Sequence, residues 1–91
     1  MAVNVFVSSH LRGYTQNKGE LTAEGATLGE ILEDLDRQYP GMRFRIIDEQ
    51  NQVRTHINIY LNAEKVPKAG SLALPVAPGN EVHVIGALSG G

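Results

Sequence analysis

The chain has 91 residues, of which 42% are hydrophobic and 20% charged, with a formal net charge of -2; this is the composition of one small globular domain with a thin core. The charge balance gives no electrostatic reason to expect a nucleic-acid or anionic-membrane partner, and the lack of any Cys excludes disulfides, thiolate metal sites and a Cys nucleophile. No run approaches the roughly 20 apolar residues of a membrane helix, and the opening "MAVNVFVSSHLRG" lacks the basic n-region and cleavage site of a signal peptide, so a cytoplasmic location is expected.

"VNVFVS" alternates, with Val3, Val5 and Val7 on one side and Asn4, Phe6 and Ser8 on the other. Period two with β-branched residues predicts a strand. "RGYTQNKG" supplies turn chemistry through Gly13, Asn17 and Gly19, and "ELTAE" returns as a second strand. In "GATLGEILEDLDRQYPG", Leu28, Ile31, Leu32, Leu35 and Tyr39 fall on one helical face. Thr27 and Glu30 form a T-x-x-E capping box, and Pro40-Gly41 stop the helix. Gly29 in its first turn costs about 1 kcal/mol relative to Ala, which close approach to the sheet would justify. The charged side, Glu33, Asp34, Asp36 and Arg37, reads as a plain solvated face.

Met42, Phe44, Ile46 and Ile47 are expected to supply core contacts from a loop or short helix, and "DEQNQ" to form an exposed turn. "INIYLNAEKV" reads as a strand, a turn and a further short strand, with Ile57, Ile59 and Leu61 on one face and Asn58, Tyr60 and Asn62 on the other. A Pro/Gly-rich crossing with a tight "APGNE" turn leads to the last strand, "EVHVIGA", which places Val82 and Val84 on one face. One helix can cover only one face of a small mixed sheet, so the fold class is two-layer α+β. The alternating Val/Ile strands at the two ends of the chain should lie central and side by side. That arrangement is the β-grasp, or ubiquitin-like, fold over residues 1–86, with 87–91 as a flexible Gly-Gly tail.

No side-chain constellation for catalysis is visible. His10, His56 and His83 lack partners at metal-ligand spacing. Ser8 and Ser9 beside His10 lack a nucleophile elbow, and no glycine-rich stretch has the spacing and Lys of a phosphate loop. Chemistry would then fall to the α-carboxylate of Gly91. A carboxylate is a poor electrophile until its attack on the α-phosphate of ATP converts it to an acyl-adenylate, from which AMP departs readily. Reaching another protein's active site favours slender residues, and Gly90-Gly91 thread a narrow channel without side chains. Five residues, 87 to 91, extend about 17 Å.

The same segments resemble the ubiquitin-like sulfur carrier proteins of the ThiS/MoaD family across nearly the whole chain. "VNVFVSSHLRGYT" is similar to the family's first strand and "LR" turn, and "GATLGEILEDLDRQYPGM" to its helix. "NIYLNAEKV" is similar to its Asn-centred hairpin, and "PGNEVHVIGALSGG" to its last turn, strand and Gly-Gly end. The resemblance implies a carrier that is not itself an enzyme and binds no cofactor. A ubiquitin-activating-like partner would use ATP to adenylate Gly91. A sulfur donor would make the thiocarboxylate, with Gly90 behind it, and a sulfur-accepting synthase would take the sulfide. A processing protease would be a further partner if residues followed Gly91; neither nucleic acid nor membrane is expected, and the protein alone would be a monomer. "IGALSGG" lacks the prolines usual before the molybdopterin-type Gly-Gly, while the length and the "RFRIIDEQNQVRTH" stretch look most like carriers for cysteine or another sulfur-containing metabolite. The alternatives are a molybdopterin-synthase small subunit and a ubiquitin-like modifier conjugated through Gly91.

Face assignment adds a docking expectation. If Val5, Ile59 and Val84 face the helix, then Phe6, Tyr60, His83 and Ile85 form a patch on the opposite face beside the tail, unless a loop covers it. Leu74 and Leu88 are further contact candidates.

Overall fold

A computed structural model describes residues 2–86; Met1 and 87–91 lie outside the described residues, and with them the tail segment. Five strands form one sheet: β1 (Ala2–Val7), β2 (Glu20–Glu24), β3 (Ile57–Leu61), β4 (Glu64–Lys65) and β5 (Glu81–Gly86), in the order β2-β1-β5-β3-β4. The two end strands of the chain, β1 and β5, are central and parallel, with Phe6 opposite His83 and Val7 opposite Val84. Every other neighbouring pair is antiparallel. Two helices lie on one face, α1 (Leu28–Gln38) and the short α2 (Met42–Ile46). No helix among the described residues is long and apolar enough to cross a membrane.

The alternation seen in the sequence becomes the core. Val3, Val5, Val7, Ile57, Ile59, Val82 and Val84 turn inward, and Leu28, Ile31, Leu32 and Leu35 of α1 close over them. Burying a side chain of this kind stabilises by roughly 1.5–3 kcal/mol, which is the main force holding helix to sheet. Tyr39 and Leu61 pack only partly against the cluster.

The start of α1 departs from the reciprocal capping box. Thr27 Oγ1 accepts from the Glu30 amide at 3.2 Å, as expected, but Glu30 Oε1 accepts from the Ala26 amide at 2.7 Å, one residue earlier than the box requires. The Leu28 amide, an orphan donor in an isolated helix, donates to the Leu74 carbonyl at 2.9 Å. Gly29 does permit a close approach, but to the wrong element for the sequence expectation. A Cβ there would lie 3.1 Å from the Leu72 carbonyl oxygen, in the 3₁₀ turn Ser71–Ala73, not against the sheet.

The charged side of α1 also does more than meet solvent. Asp34 accepts from the Glu24 amide at 3.0 Å, and Gln38 Nε2 donates to the Thr22 carbonyl at 2.9 Å, so the helix satisfies main-chain groups of the edge strand β2. That amide bond, with Arg37 and Gln38 also donating to it, holds the Asp34 carboxyl below its usual range, against an opposing effect of burial. Asp36 Oδ1 accepts from the amides of Gly41 and Arg43 and so fixes the turn into α2, where Gly41 takes φ +94°.

Met42, Ile46 and Ile47 enter the core as expected, but Phe44 does not: it is 59% exposed, with the Arg54 guanidinium 4.5 Å above its ring. A five-residue helix has a narrow inner face, and Met42 and Ile46, four apart, fill it. The "DEQNQ" turn is exposed and is tied by Asp48, whose Oδ1 accepts from the amides of Gln50 and Gln52. Lys68 Nζ gathers the carbonyls of Arg54, Thr55 and Ile57 around the start of β3; burial, with Lys65 nearby, lowers its pKa.

Candidate functional site

The face of the sheet away from the helices holds a row of side chains that crosses all five strands. Strand register places Glu20, Phe6, His83, Tyr60 and Lys65 side by side in that order. Phe6 and His83 stack, with ring centroids 4.6 Å apart and planes at 15°. The imidazole Nε2 of His83 lies 3.2 Å from Glu81 Oε1, which fixes the ring's lean. The row is therefore an aromatic strip, half-buried by its own members, with an acid at the β2 edge and a base at the β4 edge. Asn4, Thr22, Glu81 and Ile85 around it are exposed, Ile85 at 42%.

Alternation explains why the strip exists. Val5, Val82, Val84 and Ile59 are fully buried toward the helices, which forces Phe6, His83 and Tyr60 to the other side. Of the residues singled out from sequence, Phe6, His83 and Tyr60 come together, and Ile85 sits one row nearer the end of β5, opposite Asn58. Leu74 does not join them: it packs partly against the core and offers its carbonyl to the start of α1. Leu88, Gly90 and Gly91 lie outside the described residues.

At the end of β5, the Gly86 amide donates to Ser8 Oγ at 2.8 Å. A Cβ on Gly86 would lie 3.4 Å from His10 Cβ and 3.5 Å from Ile57 Cδ1, so the last residue of β5 sits in a fitted gap between β3 and the 3₁₀ helix Ser9–Tyr14. Sequence reasoning considered Ser8 only beside His10 as a nucleophile and missed this role. The only available signal was its polar hydroxyl at the last position of an alternating strand. Nearby, Leu11 is buried and Arg12 Nε donates to the Val7 carbonyl at 3.2 Å, which gives the "LR" pair its local meaning.

Among the described residues there is no group of three or more His, Asp or Glu side chains able to hold a metal ion. Two concave regions, one beside Thr22 and Tyr39 and one beside Asn51 and Leu72, hold no nucleophile paired with a base. What the described surface offers is an aromatic strip and a last β5 residue held by Ser8.

The ThiS family model matches residues 5–91. The chain belongs to the ThiS family. Its curated relatives include sulfur carrier protein CysO of Mycobacterium tuberculosis, 36% identical over 93 aligned positions that cover all of both chains. A crystal structure of Mycobacterium tuberculosis CysO superposes with a TM-score of 0.86 at 33% identity, covering 94% of this chain and 99% of that one. A chain in the crystal structure of the Amycolatopsis orientalis BexX/CysO complex gives 0.87 at 31% identity, covering 98% and 99%. Small archaeal modifier protein 3 of Haloferax volcanii is 31% identical over 68 residues, 75% of this chain and 73% of its own. The β-grasp expected from the element order is thus the fold of this ThiS-family member.

Proposed function

We propose that this ThiS-family chain is a sulfur carrier that works through the carboxylate of Gly91, either as translated or once a protease has removed any residues beyond it. The observation that carries the reading is its full-length identity of 36% to the sulfur carrier CysO. The fold supports it: β5 leads toward 87–91 through the gap closed by Ser8, at an end free of catalytic side chains among the described residues.

The chemistry belongs to partners. An adenylating enzyme lets the Gly91 carboxylate attack the α-phosphate of ATP, releasing pyrophosphate and leaving an acyl-adenylate. Sulfide from a donor displaces AMP, and the carboxylate becomes a thiocarboxylate. Its sulfur then displaces the leaving group from an electrophilic carbon held by an acceptor synthase, forming a thioester; water hydrolyses that thioester, freeing the product as a thiol and restoring the carboxylate. The folded domain supplies recognition, with the Phe6–His83–Tyr60 strip resting on the adenylating enzyme while Gly90 and Gly91 enter its cleft. Flat aromatic anchors at the centre of a contact carry most of its energy. Likeness to CysO supports cysteine or another sulfur metabolite as the destination.

Intact-mass measurement of the protein from its native host tests this reading. A form heavier by one oxygen-for-sulfur exchange, mapped to the Gly91 peptide and absent when Gly91 is deleted, is expected. Branched Gly-Gly conjugates without any thiocarboxylate would replace the carrier with a protein modifier.

A further inference from the structure

The end of the molecule from which β5 departs also gathers most of the arginines. Arg45 lies over the Tyr14 ring, 4.6 Å from its centroid, and Arg54 over the Phe44 ring at 4.5 Å. Both rings are themselves exposed, Tyr14 at 39% and Phe44 at 59%. Arg43, two residues before Arg45, has a side chain that reaches only a neutral partner among the described residues, Asn51 Oδ1 at 3.4 Å. Arg54 spends Nε on the Phe44 carbonyl at 2.7 Å, leaving its two terminal nitrogens, and the Arg45 side chain makes no hydrogen bond among the described residues.

The nearest acids form no ion pair with them. Asp36, Asp48 and Glu49 flank α2, and the carboxylates of Asp36 and Asp48 accept from main-chain amides instead. Among the described residues the ion pairs within 4 Å join Arg37 to Asp34 and His83 to Glu81, and none involves Arg43, Arg45 or Arg54. A chain of net charge -2 therefore keeps three arginines without an ion-pair partner among the described residues. Half of its ten acids lie elsewhere, on α1 and β2 (Glu20, Glu24, Glu30, Glu33 and Asp34).

Position gives the patch its meaning. A Cβ on Gly86 would meet His10, in the same 3₁₀ helix that ends at Tyr14 under Arg45. Gly86 also pairs with Ile57, whose amide donates to the Arg54 carbonyl at 3.0 Å. Arg45 thus lies against the 3₁₀ helix that borders the end of β5, and the Arg54 main chain joins the strand on its other side. A guanidinium parked on an aromatic face is oriented in advance, so it loses little freedom when a carboxylate arrives.

We infer that Arg45 and Arg54, with Arg43, form a cationic rim that docks against Asp and Glu side chains around the mouth of the adenylating enzyme's tail-binding cleft. This rests on the sulfur-carrier reading for the partner's identity and extends it with a second contact, separate from the aromatic strip. A protein partner fits better than a nucleic acid, because the patch is three arginines wide and backed by an acidic helix, with no continuous basic track.

Two measurements keep this inference apart from the carrier reading. The first titrates the isotope-labelled full chain with an oligoglutamate peptide and follows its amide resonances. Shifts confined to residues 12–14, 43–47 and 54–57, lost at about 0.5 M salt and lost in Arg45→Glu, are expected. Absent or evenly scattered shifts, or tighter binding of an oligonucleotide at the same residues, would overturn the inference whatever the protein's function. The second measures Gly91-dependent ATP–pyrophosphate exchange with the adenylating enzyme purified from the same host. Arg45→Glu/Arg54→Glu should raise KM about tenfold at low salt with kcat unchanged, and Arg45→Lys/Arg54→Lys should keep most of the wild-type affinity. Exchange by wild type with no change in KM for the charge reversal also overturns it. No exchange by wild type removes the carrier reading, and the peptide titration still decides the patch. Arg45→Glu alone serves if the double variant fails to fold, since the Arg45 side chain supports no hydrogen bond.

Discussion

Ser8 Oγ accepts the Gly86 amide at 2.8 Å and so joins residues 78 positions apart in the chain. Ser8 directly follows β1, and Gly86 is the last residue of β5, so the contact closes the parallel central pair at the end where the tail departs. Replacing Ser8 by Ala removes one hydrogen bond at a half-buried position and should cost about 1 kcal/mol of stability. Urea unfolding measures that cost, and amide exchange at Gly86 measures the local effect, which should be much faster exchange. Ser8→Thr should restore both; an unaltered Gly86 exchange rate in Ser8→Ala would show that the hydroxyl does not hold the strand end.

The Phe6–His83 stack gives a test of the docking strip that is separate from folding. Both side chains point away from the core, so Phe6→Ala and His83→Ala should remain folded. Each should raise KM for adenylation about tenfold, the effect of losing a contact worth about 1.4 kcal/mol, while kcat stays near wild type. Equal loss of kcat with no change in KM would place the strip outside the docking contact.

Gly25 is a structural pinch point. A Cβ there would meet Glu30 Cβ at 2.7 Å and the main-chain atoms Glu30 C and Ile31 N at 2.9 Å. Main chain in the first turn of a helix cannot swing aside as a side-chain tip can. Gly25→Ala should therefore destabilise by about 1–3 kcal/mol, seen as a lower urea midpoint at constant slope. A stabilising effect would mean that the turn relaxes freely.

Asp34 predicts a pH dependence with a definite sign. Its pKa is lowered in the folded state, first by the Glu24 amide and then by Arg37 and Gln38. A depressed carboxyl contributes stability that is fully present above its unfolded value of about 3.9 and is lost as pH falls through the folded value. Asp34→Asn should be less stable than wild type at neutral pH, and the gap should narrow steadily below about pH 4. A gap that stays constant into acid would assign the loss to geometry instead of charge.

The sequence showed most clearly what is periodic. Alternation at Val3, Val5 and Val7 and the one-sided spacing of Leu28, Ile31, Leu32 and Leu35 foretold both layers, because burial imposes a period on the residues that make it. The same alternation exposed Phe6, His83 and Tyr60, though their stacking needed the parallel register of β1 and β5. What stayed hidden depends on partners far along the chain. Phe44 looks like core until Arg54, ten positions on, covers its ring. Gly29 looks like a sheet contact until the turn at Leu72 takes the place. Asp34 and Asp36 look like solvated charges until the amides they serve are located. The arginine rim draws on segments separated by turns and a strand, and no local pattern announces it.

The bonds from Asp34 and Gln38 to the edge of β2 have a consequence for how the molecule can be held. A sheet with an open flank tends to recruit foreign main chain, and such unions separate slowly. Here one flank is stoppered by helix side chains and the other, β4, ends after two residues. Visitors are left with side-chain surfaces to grip, and these can be released. A protein that must be loaded by one host and emptied by another gains turnover from having so little that can be zipped to.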